Sequence, residues 1–320
     1  MIFYQENRLN LTNNMRQLQF PEFDDIKVST KTYTAVTNIE INIQRLFDVI
    51  PITDYVVQPK KRGRKKKGSL ININQEIPYG SIVTAKFEKQ IKGVELKPKS
   101  PKQSAGKNWF RNSITVVMIL DKPINFKVCK NGTLQMTGCK NWQHAEMCAK
   151  KLWKVIKDDE TIYKFTRGTE GVFEAMIIPS MRNIDFDLGF NVDREKLSKY
   201  MNAKNDLHCM METSFGYTGV NIKIPLEQSR TDMRIDKLTF NAETQAWESE
   251  WTTYASYLEL LDEKTRTSKM KDQKYNTFLV FHSGKVIFSG LTSLYMKNEY
   301  YMFVKMMEDA FEEIEERLEK

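Results

Sequence analysis

The stretch NTFLVFHSGKVIFSG, residues 276–290, decides the reading. Two runs of alternating character flank a Ser-Gly turn, which is the pattern of a β-hairpin. The pattern recurs in INFKVCKNGTLQMTG, residues 124–138. Aligned, Phe126 meets Phe278, Val128 meets Val280, Gly132 meets Gly284 and Gly138 meets Gly290, at a constant offset of 152 residues. That offset is close to half of the 320-residue chain and far longer than a solenoid repeat. It implies a duplicated half-domain whose two copies pack about a pseudo-twofold axis.

The flanking segments repeat the same plan. KVSTKTYTAV (27–36) is rich in β-branched residues and reads as a strand. INIQRLFDVI (41–50) places Ile43, Leu46, Phe47 and Ile50 at helical spacing, with Asn42 as its cap. GSIVTAKFEK (80–89) and SITVVMIL (113–120) are strand-like, and NWQHAEMCAKKLWKVI (141–156) is an amphipathic helix. In the second half, FEAMIIPSMRNIDF (173–186) is strand-like, DREKLSKYM (193–201) a short helix and SFGYTGVNIKIP (214–225) a strand closed by Pro225. A long helix near 294–318 carries Tyr300, Phe303, Met307, Phe311, Ile314 and Leu318 at steps of three or four. The expected organisation is an arm at 1–26, a first repeat at 27–160 and a second at 170–320. The first repeat holds a basic insert (54–75) and a loop (91–108). The second holds a polar insert (226–274), in which WESEWTTYASYLELL is a candidate helix or cover.

Bulk properties fit a globular protein. Hydrophobic residues make up 41% of the chain and charged residues 28%. No apolar run is long enough to span a bilayer, and the N-terminus lacks the pattern of a signal peptide. Four cysteines without a CxxC pair point to a reducing compartment, cytosol or nucleus. The net charge of +8 is concentrated: residues 51–110 hold fourteen Lys and Arg against four Asp and Glu. Such a balance points to a polyanionic partner. Frequent Asn and Ile allow the blander reading that Lys follows from an AT-rich coding sequence.

FLVFHSGKVIFSG resembles the strand–turn–strand signature of the TATA-box-binding proteins, L-I-F-x-S-G-K-x-V-x-T-G. SFGYTGVNIKIP resembles the upstream strand of the same repeat, F-P-G-L-x-Y-R-x-x-x-P, with Phe215 and Pro225 ten residues apart as in the family. FRNSITVVMILDKPINFKVCKNGTLQMTGCK is similar to the diverged TATA-box-binding-like proteins of large DNA viruses. The resemblance covers most of the chain outside the three inserts. It implies an α+β saddle of two pseudo-symmetric repeats, with ten antiparallel strands in a curved sheet and four helices on the convex face. The implied function is transcription initiation. The concave face would bind AT-rich promoter DNA in the minor groove, and the helices would recruit initiation factors or RNA polymerase. The TATA-binding protein is itself the type example of a minor-groove binder that kinks DNA with apolar wedges.

The residues carry this reading further. Alternation turns Phe278, Val280, Phe126 and Val128 toward the helices and Leu279, Phe281, Ile287 and Ser289 to the other face. Leu, Phe and Ile together on an exposed sheet face form a ligand-seeking patch. By resemblance, Phe281 and Phe215 match the paired intercalating phenylalanines, and Leu279, Ile287 and Ser289 match groove-lining positions. Asn221 stands where the family carries an Arg near phosphate, and Thr32 and Asn183 join the groove-facing set. The first half departs from the pattern. Cys129 replaces Phe281, Lys127 replaces Leu279, and counting from Pro123 places Ser113 at the position of Phe215, with Trp109 and Phe110 nearby. Gln135 and Thr137 keep groove-compatible chemistry. A kink at one end of the site is therefore expected.

PKKRGRKKKG (59–68) resembles an AT-hook but has Lys65 in place of the Pro that follows Arg-Gly-Arg. Lys60, Lys61, Arg62, Arg64, Lys65, Lys66 and Lys67 serve equally as a nuclear-localisation run or as a solvated linker with non-specific phosphate attraction. The acidic end of the last helix (Glu308, Asp309, Glu312, Glu313, Glu315, Glu316) is a partner surface or a solvated face. The other function classes lack support. His144, Cys148 and Cys139 have loose metal-ligand spacing, for which a packed Cys and a surface His are the plainer explanation. No GxGxxG, GxxxxGK[ST] or nucleophile motif is present. The expectation is therefore a non-enzymatic, cofactor-free, monomeric pseudo-dimer with no membrane partner. It would act in the nucleus or at the cytoplasmic transcription site of a large DNA virus. The alternative is a scaffold of the same fold, held to DNA only by the Lys/Arg block.

Overall fold

The computed structural model describes residues 18–54, 77–94, 111–204, 208–211 and 219–317. The first repeat runs β1 (Val28–Thr37), α1 (Ile43–Val49), β3 (Ser81–Phe87), β5 (Ser113–Ile119), β6 (Pro123–Cys129), β7 (Thr133–Cys139) and α2 (Trp142–Ile156). The second runs β9 (Val172–Asp187), α3 (Arg194–Asn202), β10 (His208–Met211), β11 (Gly219–Pro225), β14 (Tyr275–Phe281), β15 (Lys285–Gly290) and α6 (Ser293–Ile314). In the sheet the order is β10-β11-β14-β15-β9-β1-β7-β6-β5-β3, so each half has the same order read outward from the centre. The ten strands and four helices that the resemblance implies are all present, and the fold is an α+β saddle of two pseudo-symmetric repeats. A short ribbon pairs β2 (Ile39–Ile41) with β8 (Tyr163–Phe165) beside the first repeat.

Local chemistry explains the elements. Asn42, Asn141 and Asp193 each cap a helix by accepting backbone N–H bonds. The apolar stripe of α2 buries Ala145, Ala149, Leu152, Trp153 and Ile156 against Phe126, Val128, Leu134 and Met136. In the second half α6 buries Met296, Tyr300, Phe303, Met307 and Ile314 against Phe278, Val280, Val286 and Phe288. Phe278 is stacked between Phe288 and Phe303, with ring centroids at 3.9 and 4.0 Å. The helix-facing side of every duplicated hairpin residue is as the alternation requires.

The two matched turn glycines do the same work. Gly132 has φ +73°, and a Cβ there would come within 2.0 Å of the Ile39 carbonyl oxygen. Gly284 has φ +77°, and its Cβ would meet the Phe190 carbonyl at 2.2 Å. In each half the hairpin turn therefore presses against the chain that follows the long central strand.

Three boundaries differ from the sequence reading. Residues 91–93 of the expected 91–108 loop are strand, since β4 (Gln90–Gly93) pairs with β3. The last helix stops at Ile314, because Glu315 turns extended and pairs with Val192. WESEWTT is strand, not helix. The insert forms a hairpin, β12 (Arg234–Asn241) with β13 (Ala246–Thr253), then α4 (Tyr254–Glu259) and α5 (Glu263–Lys271). Trp247, Ser249 and Trp251 alternate there with Glu248 and Glu250, a strand period that the helical residues after Thr253 do not share.

Phe278→Ala should cost about 3–5 kcal/mol, the usual result of truncating a packed core aromatic. Gly132→Ala and Gly284→Ala should each cost more than ~1 kcal/mol, because the backbone is left-handed and the space is filled. Chemical denaturation of the three variants measures both effects.

Candidate nucleic-acid interface

The face of the sheet without the duplicated helices is built by register. Asn221 pairs with Leu279, Leu279 with Ile287 and Ile287 with Asp185, so these form one row across the second half. Met210, opposite Asn221, extends the row and is 60% exposed. A second row holds Lys223, Thr277, Ser289 and Asn183. A third pairs Phe281 with Gly219. Leu279, Phe281, Ile287, Ser289, Asn183 and Asn221 are all partly exposed. Six of the expected groove residues are therefore brought onto one open face. Thr32 lies beyond Asn183, opposite Met181, and is also partly exposed. Asn183 Oδ1 and Asn221 Oδ1 are shielded from solvent and accept no hydrogen bond.

The first half carries the matching rows with different chemistry. Thr115, Lys127, Gln135 and Thr34 align where the second half has Asn221, Leu279, Ile287 and Asp185. Val117, Asn125 and Thr137 form the next row, with Gln135 and Thr137 exposed. Lys86 pairs with Thr115 and adds a cation to the same face. In the central row the second half carries Met210, Leu279 and Ile287 where the first half carries Lys86, Lys127 and Gln135. Beside Cys129 an open cleft of about 820 Å³ is lined by Arg111, Ser113, Lys130, Thr133 and Gln135.

The register corrects one assignment. Cys129 pairs with Ser113 and Phe281 with Gly219, so Ser113 is equivalent to Gly219, not to Phe215. Pro123 misleads because it opens β6 opposite Ile119, whereas Pro225 ends β11 opposite Tyr275. Counting back four residues from each anchor, Phe215 corresponds to Trp109. Both halves therefore carry an aromatic residue at that sequence position, and of the two paired aromatic positions the first half lacks only the one taken by Cys129. Phe215, Trp109, Phe110 and the Lys60–Lys67 block lie outside the described residues.

The insert touches this face at one place. Register puts Val36 and Met176 opposite each other on the side of Thr34, and Ile178 opposite Thr34. Met176 and Ile178 are buried beneath Tyr254, Tyr257 and Leu258 of α4, with Ile235 of β12. Leu279, Ile287 and Phe281 are not part of that cluster. The cover closes the end of the β1–β9 ladder and leaves the apolar row open. Sequence reading missed this, as it missed Met210. The HCMM run of β10 does not alternate, and Met210 and Met211 are both exposed, so no sequence period marked Met210.

Other candidates are occupied. His144 Nε2 lies 3.0 Å from Asp121, and its Nδ1 accepts the Lys140 N–H. Cys139 and Cys148 are buried, and burial pushes the Cys139 thiol up to about 11. Among the described residues no cluster of three metal-ligating side chains forms. Asp187 is held below the ordinary carboxylate range by the Gly189 N–H and by Lys285, with which it makes an ion pair at 3.1 Å. At the last helix, Lys305 pairs with Asp309 at 2.9 Å, while Glu308, Glu312 and Glu313 are exposed.

A Cβ on Gly219 would meet Leu279 Cδ1 at 2.7 Å. Gly219→Ala should displace Leu279 from the row and cost roughly 1 kcal/mol or more. A thermal melt reads the cost, and methyl NMR of Leu279 reads the displacement.

No family model matches the chain. It is 26% identical over 299 residues to an uncharacterised protein, 335L, of Invertebrate iridescent virus 6, covering 90% of this chain and 85% of that one. It is 32% identical over 203 residues to a TATA-box-binding protein-like protein of Acanthamoeba polyphaga mimivirus, covering 52% of this chain and 54% of that one. TBP of Methanococcus jannaschii aligns over 90% of this chain and 99% of that one, with 13% identity and a TM-score of 0.41. Over about half its length, then, the chain is similar to a TATA-box-binding protein-like protein of a large DNA virus.

Proposed function

We propose that this protein is a TATA-binding-protein-like transcription initiation factor that holds AT-rich duplex DNA by its minor groove. The supporting observation is the open row Met210, Asn221, Leu279, Ile287, flanked by Phe281. An exposed apolar sheet face has no role in folding, and a widened minor groove is shallow and poor in polar groups. The polar first half would sit on the same groove with Lys127 and Lys86 near phosphates. Phe281 would wedge one base step, and Cys129 is too short to do the same. The duplicated helices would then recruit initiation factors or RNA polymerase, and the acidic end of α6 would be part of that surface. The Lys60–Lys67 block would add salt-dependent, sequence-independent attraction. No catalysis belongs to this role. It would be carried out by a single chain, in the nucleus or at a viral transcription site in the cytoplasm.

A second reading is a protein scaffold of the same fold. It draws on α4, which already covers Met176 and Ile178 on the open side.

Fluorescence anisotropy with AT-rich and GC-rich duplexes across a salt series separates the two. Under the initiation-factor reading, Phe281→Ala weakens AT-rich binding about ten-fold, since a lost wedge costs on the order of 1–3 kcal/mol. The salt slope stays unchanged, and Cys129→Ala has no effect. Equal binding of both duplexes by wild type and variant, with a steep salt slope alone, would leave the scaffold reading.

A further inference from the structure

The central ladder sets Lys31 directly opposite Arg182. Lys31 is also opposite Cys139, and it shares the helix-covered side with Tyr33. Arg182 shares that side with Ile184 and Phe186. The two cations therefore stand side by side in the seam between the two cores, on the face away from Leu279 and Phe281. Both are half-buried. Like charges directly opposite in an antiparallel pair repel, and burying a charge without a partner costs more. Burial holds both groups below their ordinary pKa values, and for Lys31 the neighbouring guanidinium adds to it.

Their compensation is slight: Asp24 is the one carboxylate that favours the Arg182 charge, and none among the described residues favours that of Lys31. Neither makes an ion pair, and Arg182 Nε is shielded from solvent without an acceptor. The guanidinium carbon lies 5.4 Å from the Phe23 ring centre. Two acids approach the seam and both are engaged elsewhere. Asp24 binds Lys297 at 2.6 Å, and Asp236 faces Arg234 at 3.7 Å. The fold thus carries at its centre a cation pair without an ion-pair partner among the described residues, flanked by the rings of Phe23 and Tyr33.

We propose that Lys31 and Arg182 anchor a carboxylate-bearing segment of a partner protein, docked in the seam between the two helical layers. A guanidinium takes a carboxylate through two parallel N–H bonds, and the adjacent ammonium supplies a third donor. Two cations set between aromatic rings suit one or two acidic side chains on an otherwise apolar segment. A duplex would need many phosphate contacts, and these two residues lie on the face opposite the proposed DNA row. Binding would relieve the repulsion that the free protein bears.

The test uses the full-length chain and a fluorescein-labelled Asp/Glu-rich peptide, with its Asn/Gln counterpart as control. The acidic peptide should bind and the amide peptide should not. Lys31→Gln and Arg182→Gln should each weaken binding roughly ten-fold, in line with loss of a charge-assisted hydrogen bond. Lys223→Gln, on the open face, should leave it unchanged. Lys31→Met should raise the melting temperature of the free protein and abolish the further rise that the peptide gives to wild type. The proposal is overturned if the peptide fails to bind, if Lys31→Gln binds it like wild type, or if Lys31→Met melts lower. It is also overturned if Arg182→Gln loses affinity for duplex DNA instead of the peptide, which would make the seam a phosphate site.

Discussion

The antiparallel ladder between β1 and β9 is the constraint on which the rest of the molecule depends. It is the only strand pairing between the duplicated halves among the described residues, and both strands are flanked on their other edges as well. Each half by itself would end in an exposed edge strand, which is a template for wrong pairing. Joined, the two edges satisfy one another. The ladder is irregular at two places, between Val28 and Thr30 and between Thr32 and Tyr33. The second shift leaves Ser180 as an extra residue in β9, and the face pattern changes there. Phe173, Ala175 and Ile177 face the first core, whereas Ile184 and Phe186 face the second. A bulge is what lets one long strand serve two helical layers on the same side.

Within that frame the duplicated positions have diverged unevenly. The helix-facing pairs, Phe126 with Phe278 and Val128 with Val280, are unchanged between the halves because each must fill a close-packed layer. The turn glycines are unchanged because a Cβ would strike a carbonyl in each half. The open-face pairs carry no such load. Leu279 is matched by Lys127, Ile287 by Gln135 and Phe281 by Cys129, so the two ends of the face differ in charge and shape. An asymmetric face gives a pseudo-symmetric protein a direction, which a symmetric one would lack on a two-ended ligand.

The insert adds to that asymmetry. β12 pairs with β9 along 172–177, on the same edge that β15 uses further on. From there α4 packs over Met176 and Ile178 and closes one end of the open side. α5 has no buried residue and is tied down through arginine. Arg266 donates to the carbonyls of Leu258, Glu259 and Leu261, and Arg230 donates to those of Lys269 and Asp272. A helix that is polar all round stays in place through such bonds, not through burial.

Much of this was legible in the sequence. Period-2 alternation identified the hairpins and the two faces of Leu279 and Phe278, and helical spacing with Asn42 as cap identified α1. These patterns are local: a strand or a helix writes its own period into neighbouring side chains, so the duplicated halves and the open apolar row could be read directly. Cross-strand register is not local. It depends on which residues of two separate strands meet, whether near in sequence as Ser113 and Cys129 or far apart as Lys31 and Arg182, and one extra residue such as Ser180 shifts every partner beyond it. For that reason only the tertiary structure decided that Ser113 corresponds to Gly219, that Met176 and Ile178 lie under α4, and that Lys31 faces Arg182.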